Sequence, residues 1–172
     1  MIAEPGYLIR TRTRIETQVL LTALFREASL RYGESVKSNS AYGVDLILLF
    51  PDYADTTIWF MGPISYAQAK ISAELAVALQ EWEHSYYAGL DADFNWKSVE
   101  QRKKFQERGM ELARSLSAEV GKDFTVEYRV FEEQPHHHHL TSAHTATNPS
   151  AAAAFHALAD CLHSRKHPPL PL

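Results

Sequence analysis

The stretch Phe124-Thr125-Val126-Glu127-Tyr128-Arg129-Val130 alternates bulky apolar residues with polar ones without interruption. A period of two puts Phe124, Val126, Tyr128 and Val130 on one side of a strand and Thr125, Glu127 and Arg129 on the other. The sheet that holds it therefore needs one covered face. The cover is written immediately upstream. Phe105, Leu112, Leu116 and Val120 recur at helical spacing, Ser98 and Gln101 stand as cap and partner, and Gly121 suits a left-handed stop. Gly109 falls on the apolar side of this helix. A mid-helix glycine costs about 1 kcal/mol against alanine, so its place there predicts the close approach of another element.

Further upstream, Val44 to Phe50 is almost continuously apolar and Thr56 to Met61 is rich in β-branched and aromatic residues, with turn chemistry in Pro51-Asp52-Tyr53-Ala54-Asp55 between them. An antiparallel hairpin is expected. Ser65 and Gln68 then form a capping-box pattern before a segment free of glycine and proline until Gly89, on which Ile71, Leu75, Leu79, Trp82 and Tyr86 make one apolar stripe. Nearer the start, Tyr7 to Arg12 suits a short strand. Thr13 with Glu16 opens a helix over about residues 14 to 32, and Glu34 to Ser40 suits an exposed loop.

These elements predict an α+β fold: an antiparallel four-stranded sheet in βαββ(αα)β, ferredoxin-like order, with helices on one face. The expected organisation is a single domain over residues 1–134, then a His/Thr/Ser-rich linker over 135–150 beginning with His136 to His139. An Ala-rich tail helix with a Pro-rich end occupies 151–172, separable from the domain and capped by Ser150.

Composition narrows the function. Seventeen basic against 21 acidic residues give a net charge of −4, the wrong sign for general attraction to phosphates, so nucleic acid is a poor partner. No apolar run approaches the roughly 20 residues that cross a bilayer, and the first residues lack the basic and apolar regions of a signal peptide; the expected compartment is cytoplasmic. Cys161 alone supports neither an internal disulfide nor a four-cysteine zinc site. Phosphate-binding glycine loops, nucleophile elbows and metalloprotease helices are absent from the sequence, so no catalytic residue, resident metal or cofactor is nominated.

The most informative chemical feature is a charge asymmetry. Between Lys70 and Lys97 no lysine or arginine occurs, while Glu74, Glu81, Glu83, Asp91 and Asp93 do, interleaved with Trp82, Tyr86, Tyr87, Phe94 and Trp96. Aromatic anchors with a field of one sign suit a protein-binding surface. The expectation is a non-enzymatic domain, for instance an inhibitor of the immunity-protein kind, that engages a basic protein partner. Glu81, Glu83, Asp91 and Asp93 would supply the charge, and Tyr87, Phe94 and Trp96 the anchors. Asp91-Ala92-Asp93-Phe94-Asn95 imitates the opening of a calcium loop, but Trp96 and Arg102 stand where that loop needs glycine and glutamate, leaving an acidic turn.

Two other classes stay open. A small enzyme or ligand-binding domain would use a pocket between sheet and helices, with His84 or Asp45 among its polar groups, or carboxylates such as Asp45, Asp52 and Asp55 around the hairpin. A metal-binding or assembly role would use the His-rich tail, where His156, Asp160 and His163 share a helix face.

Overall fold

A computed structural model describes residues 45–52, 54–130 and 136–166. The strand expected at Tyr7–Arg12, the helix over 14–32 and the loop at 34–40 lie outside these residues. Four strands form one sheet: β1 (Leu46–Leu49), β2 (Ile58–Trp59), β3 (Thr125–Val130) and β4 (His136–Thr141), in the order β2-β1-β3-β4. Four helices accompany them: α1 (Tyr66–Ala69), α2 (Ala73–Gly89), α3 (Val99–Val120) and α4 (Pro149–Lys166). No helix among the described residues is long and apolar enough to cross a membrane.

The sheet is mixed, which corrects the expected antiparallel arrangement. β1 pairs antiparallel with β2 but parallel with β3, with Ile47 opposite Val126 and Leu49 opposite Tyr128. The reason is the pair of long helices, α2 and α3, that follows the single turn of α1 between β2 and β3. Ser72 at the start of α2 meets Glu119 at the end of α3, and Trp82 meets Phe105 and Gly109, so the two helices form an antiparallel hairpin. One helix would bring the chain back running against β1. Two helices reverse it once more, and β3 runs with β1.

A second correction concerns the strand inventory. The histidine run expected in a linker is β4, paired antiparallel along the whole of β3. Its period of two supplies the cause: Leu140 packs against the core, His138 stacks on the Tyr128 ring at 6.1 Å, and Thr141 meets Thr125 by a hydroxyl hydrogen bond of 2.9 Å. Residues 144–148 are likewise pinned to the end of α3. Lys122 N–H donates to His144 O, Thr147 N–H to Ala118 O and Asn148 N–H to Glu119 O.

Nor does the C-terminal helix stand apart. Asn148, not Ser150, caps α4 by accepting Ala151 N–H, and Pro149 follows at the first helical position, where its missing N–H is harmless. Ala151, Phe155 and Ala159 then fall at four-residue spacing and are buried, with Phe155 edge-on to Phe60 at 5.5 Å. The long segment expected from Ser65 to Gly89 is also two helices. Ser65 and Gln68 close the capping box of α1, Lys70 turns left-handed (φ 51°), and Ser72 caps α2 by accepting Leu75 N–H.

The core lies between the helices and the sheet face that carries Ile47, Leu49, Ile58, Val126, Tyr128 and Val130. A tight point in it is Gly109. A Cβ there would lie 2.6 Å from both the Trp82 and the Tyr128 rings, and the Trp82 indole is locked by donation from Nε1 to Phe105 O (2.9 Å).

Glu119 ties the helices together. Its carboxylate accepts Ser72 N–H (2.9 Å), the Ser72 hydroxyl and the Asn148 amide (3.0 Å), while Asn148 also donates to Lys70 O (3.0 Å). One buried acid thus holds the cap residues of both α2 and α4, where helix dipoles favour negative charge.

Two stability outcomes follow. Gly109→Ala gains helix propensity but overpacks two fixed rings, giving a net loss of about 1–3 kcal/mol in urea unfolding followed by tryptophan fluorescence. Glu119→Ala strands the Ser72 and Asn148 donors, at about 2–3 kcal/mol. An unchanged midpoint for Glu119→Ala would mean that the caps hold without it.

Candidate functional site

The acidic and aromatic segment occupies α2 and the loop that joins it to α3. Gly89 ends α2 because a side chain there would collide with Trp96, whose ring lies 2.6 Å from the position of a Cβ. Trp96 pairs with Leu90 in a β-bridge, and Lys97 N–H returns to Gly89 O (2.9 Å). Within this closed loop, Asp91 Oδ1 accepts the N–H groups of Asp93 and Asn95, both at 2.9 Å, and Asp91 N–H donates to Asn95 O (2.9 Å). The chain turns through Phe94 at φ 63°, a left-handed conformation that disfavours a side chain of this size.

The three expected anchors separate. Phe94 is 52% exposed at the tip of the loop. Trp96 and Tyr87 are only half exposed: Trp96 lies 5.7 Å from the Tyr86 ring and 5.1 Å from Phe105, and Tyr87 lies 5.3 Å from Tyr86. That stack continues inward to Trp82, parallel to Phe105 at 4.8 Å, so much of the aromatic content is the packing of the helical hairpin.

The acids separate too. Glu81, Asp91 and Asp93 are exposed, although Asp91 also serves as the internal acceptor of the loop. Glu83 is 9% exposed. Burial, then the charges of Asp55 and, less strongly, Asp52, push its carboxyl above the usual range, with His84 acting the other way. Asp52 and Asp55 stand in the β1–β2 turn, some thirty positions earlier, and only the fold brings them to α2. Sequence spacing carries no signal of this meeting.

On the other side of the sheet, Glu127 accepts Arg129 Nε–H at 2.6 Å and sits 2.8 Å from His139 Nε2. Burial alone would raise its carboxyl. The hydrogen bond and charge of Arg129, with His139 and His137, outweigh that and hold it below the ordinary value. His137 and His139 alternate onto this side because β4 is a strand, which is why the histidine run lines a sheet instead of gathering on one ion.

The remaining candidates fall elsewhere. Asp45 precedes β1 and is exposed, with its backbone oxygen accepting Thr125 N–H (2.8 Å), so it does not interrupt a buried strand. A narrow crevice lined by Pro51, Tyr86, Trp96, Phe105, Tyr128 and Arg129 does not include it. His84 is exposed. His156 Nε2 lies 3.5 Å from Asp123 and its ring 4.8 Å from that of Phe124. Among the described residues no three His, Cys, Asp or Glu side chains are placed to hold a metal ion. The basic run of α3 pairs along its own helix, Lys103 with Glu107 at 3.8 Å and Arg108 with Glu111 at 2.9 Å.

Glu83 and Glu127 therefore make opposite contributions as pH changes. Both carboxyls start from an ordinary value of 4.5. Glu83 costs nothing while protonated in both states; its cost appears as pH rises past the unfolded value and is complete above its raised folded value. Glu127 stabilises above the unfolded value and loses this as pH falls through its lowered folded value. Glu83→Gln is expected to raise Tm at pH 7 and leave it unchanged near pH 3.5, whereas Glu127→Gln lowers Tm at pH 7 by an amount that shrinks in acid. Calorimetric scans across that range check both signs.

No curated protein matches the chain. A protein-family model does: that of Serratia CdiI immunity protein-like sequences, which aligns with residues 45–130, half of the chain, from the residue before β1 to the end of β3. The matched span contains the helical hairpin, its loop and the β1–β2 turn, and leaves out β4, α4 and the segment between them that holds Asn148. The chain belongs to the Serratia CdiI immunity protein-like family.

Proposed function

We propose that this immunity-type protein inhibits a basic protein partner by direct binding, without chemistry of its own, through the loop that joins α2 to α3. Family membership supports an immunity-type inhibitor and hence a protein partner. The observation that carries the assignment to this loop is Phe94: a large ring, 52% exposed, on a left-handed residue that four hydrogen bonds around Asp91, one of them from Phe94 N–H itself, and the Leu90–Trp96 bridge hold in place. Strain of this kind, kept under an exposed aromatic residue, is what a preorganised anchor requires.

Beside the anchor, Asp93 adds exposed negative charge and Asp91 contributes charge while shaping the loop; Glu81 adds more, about two turns back along α2. Trp96 supports the loop from behind through its bridge to Leu90 and its packing on Tyr86 and Phe105, and Tyr87 lies against Tyr86 beside it. A basic partner would be drawn in by this field and held by the ring. The lone, exposed Cys161 fits action in a reducing compartment such as the cytoplasm.

The test begins with capture of basic proteins by the full chain at low salt, followed by inhibition assays and association kinetics on the captured protein. Asp93→Lys is expected to slow association several-fold and flatten its salt dependence. Phe94→Gly relieves the left-handed backbone, so stability is kept or raised while affinity falls at least tenfold. Full affinity in both variants would remove this loop from the interface.

A further inference from the structure

The two edges of the sheet differ. On the β2 side the chain folds back along its own strand: Pro63 bridges Trp59, and Ile64 N–H donates to Ile58 O at 2.9 Å, so this edge is covered. On the β4 side no further strand follows among the described residues. Thr125 N–H donates to Asp45 O, towards β1, so strand alternation turns Val126, Tyr128 and Val130 towards β4, where they pair with Leu140, His138 and His136. The N–H and C=O groups of His139 and Thr141 therefore face out of the sheet. Exposed edges are usually blunted by lysine, inward charge, proline or a bulge. His136–Thr141 contains no lysine, carboxylate or proline, and its register against β3 is continuous.

A groove of about 360 Å³ lies beside this edge, lined by Arg114 and Ser117 of α3 and by His139, Thr141 and Ser142. α3 covers the side of the sheet to which Leu140 points, while the His139 and Thr141 side chains lie on the other, so a space that touches both runs along the outward main chain. Most polar side chains here are already matched. Ser117 Oγ donates to Leu140 O (3.3 Å), Thr141 shares a hydroxyl hydrogen bond with Thr125 (2.9 Å), and His139 Nε2 lies 2.8 Å from Glu127. Arg114 is the exception: it is exposed and has no hydrogen bond or ion pair among the described residues, and Glu111, the acid one turn back on α3, is taken by Arg108 at 2.9 Å. From this juxtaposition of an uncovered strand edge with an unpaired cation we infer that β4 and Arg114 form a docking groove for an extended peptide segment that carries a carboxylate. The segment adds a strand to the sheet. Its main chain pairs with His139 and Thr141, which gives affinity, and its acid meets the Arg114 guanidinium, which gives selectivity. β4 lies outside the span that the family model matches, and the inference does not rest on the inhibitor reading.

The test titrates the full, 15N-labelled chain with the peptide acetyl-Thr-Val-Glu-Val-Thr amide and follows the backbone amide and guanidinium resonances. Saturable shifts are expected at His139, Thr141 and Arg114. Glutamine in place of the peptide's glutamate should weaken binding at least fivefold, and N-methylation along one edge of its main chain should abolish binding while methylation along the other does not. Arg114→Gln is expected to bind the glutamate and glutamine peptides equally. Thr141→Pro removes an outward N–H that β3 does not use, so the β3–β4 ladder persists in the folded spectrum while peptide binding falls at least fivefold. Equal binding of the two peptides by the native chain, binding that survives methylation of either edge, or shifts that avoid β4 would overturn the groove. Self-association through β4 without any response to the peptide would overturn it too, and would give the edge to a second copy of the chain. Asp93→Lys and Phe94→Gly should bind the peptide as the native chain does, which keeps this test separate from that of the loop.

Discussion

Three helices of this protein meet at one carboxylate. Glu119, on the last turn of α3, satisfies the backbone and hydroxyl of Ser72 and the amide of Asn148, which are the residues that open α2 and α4. Helix starts carry unsatisfied N–H groups and a partial positive charge, so a buried acid placed between two of them is stabilised by both and orders both. With that end of the helical hairpin fixed, the other end has little freedom. The loop from Leu90 to Ser98, where Phe94 emerges, is the opposite pole of the same rigid pair.

The hairpin itself is set by close approach. Gly109 removes a side chain where the Trp82 and Tyr128 rings must enter, and the rings lock α2 and α3 to each other and to β3 at one point. Because the α2–α3 pair crosses between β2 and β3, the chain arrives at β3 parallel to β1, and the sheet becomes mixed. The same crossing ends in the loop that carries Phe94. Fold and candidate binding chemistry thus share a single cause, the antiparallel pairing of α2 with α3.

The acids of the chain divide by environment. Glu119 and Glu127 are buried and paired, and they build the fold; Asp91 shapes a loop; Glu81 and Asp93 face solvent; Glu83 is buried among like charges. Of these, Glu81, Asp91 and Asp93 leave their charge in solvent. A residue tally of the acidic stretch treats all of these alike. The aromatic residues divide in the same way, with Phe94 outward and Trp82 and Phe105 inward.

Local chemistry was legible in the sequence wherever a few neighbouring residues decide the outcome: the two-residue period of β3, the apolar hairpin strands, the Ser98 cap with Gln101, the Gly121 stop, the tight fit at Gly109 and the acidic turn at Asp91. The class of inhibitor could also be reached from charge and aromatic content, since these are properties of composition. Tertiary structure decided the rest. His136 to His139 become a strand only because β3 offers an unpaired edge, and Asn148 displaces Ser150 as a cap because Glu119 is there to hold it. Strand direction depended on the α2–α3 pair that intervenes, and the burial of Glu83 on what packs over α2. Hydrophobic period fixes which side of an element is covered, but it carries no information about what covers it.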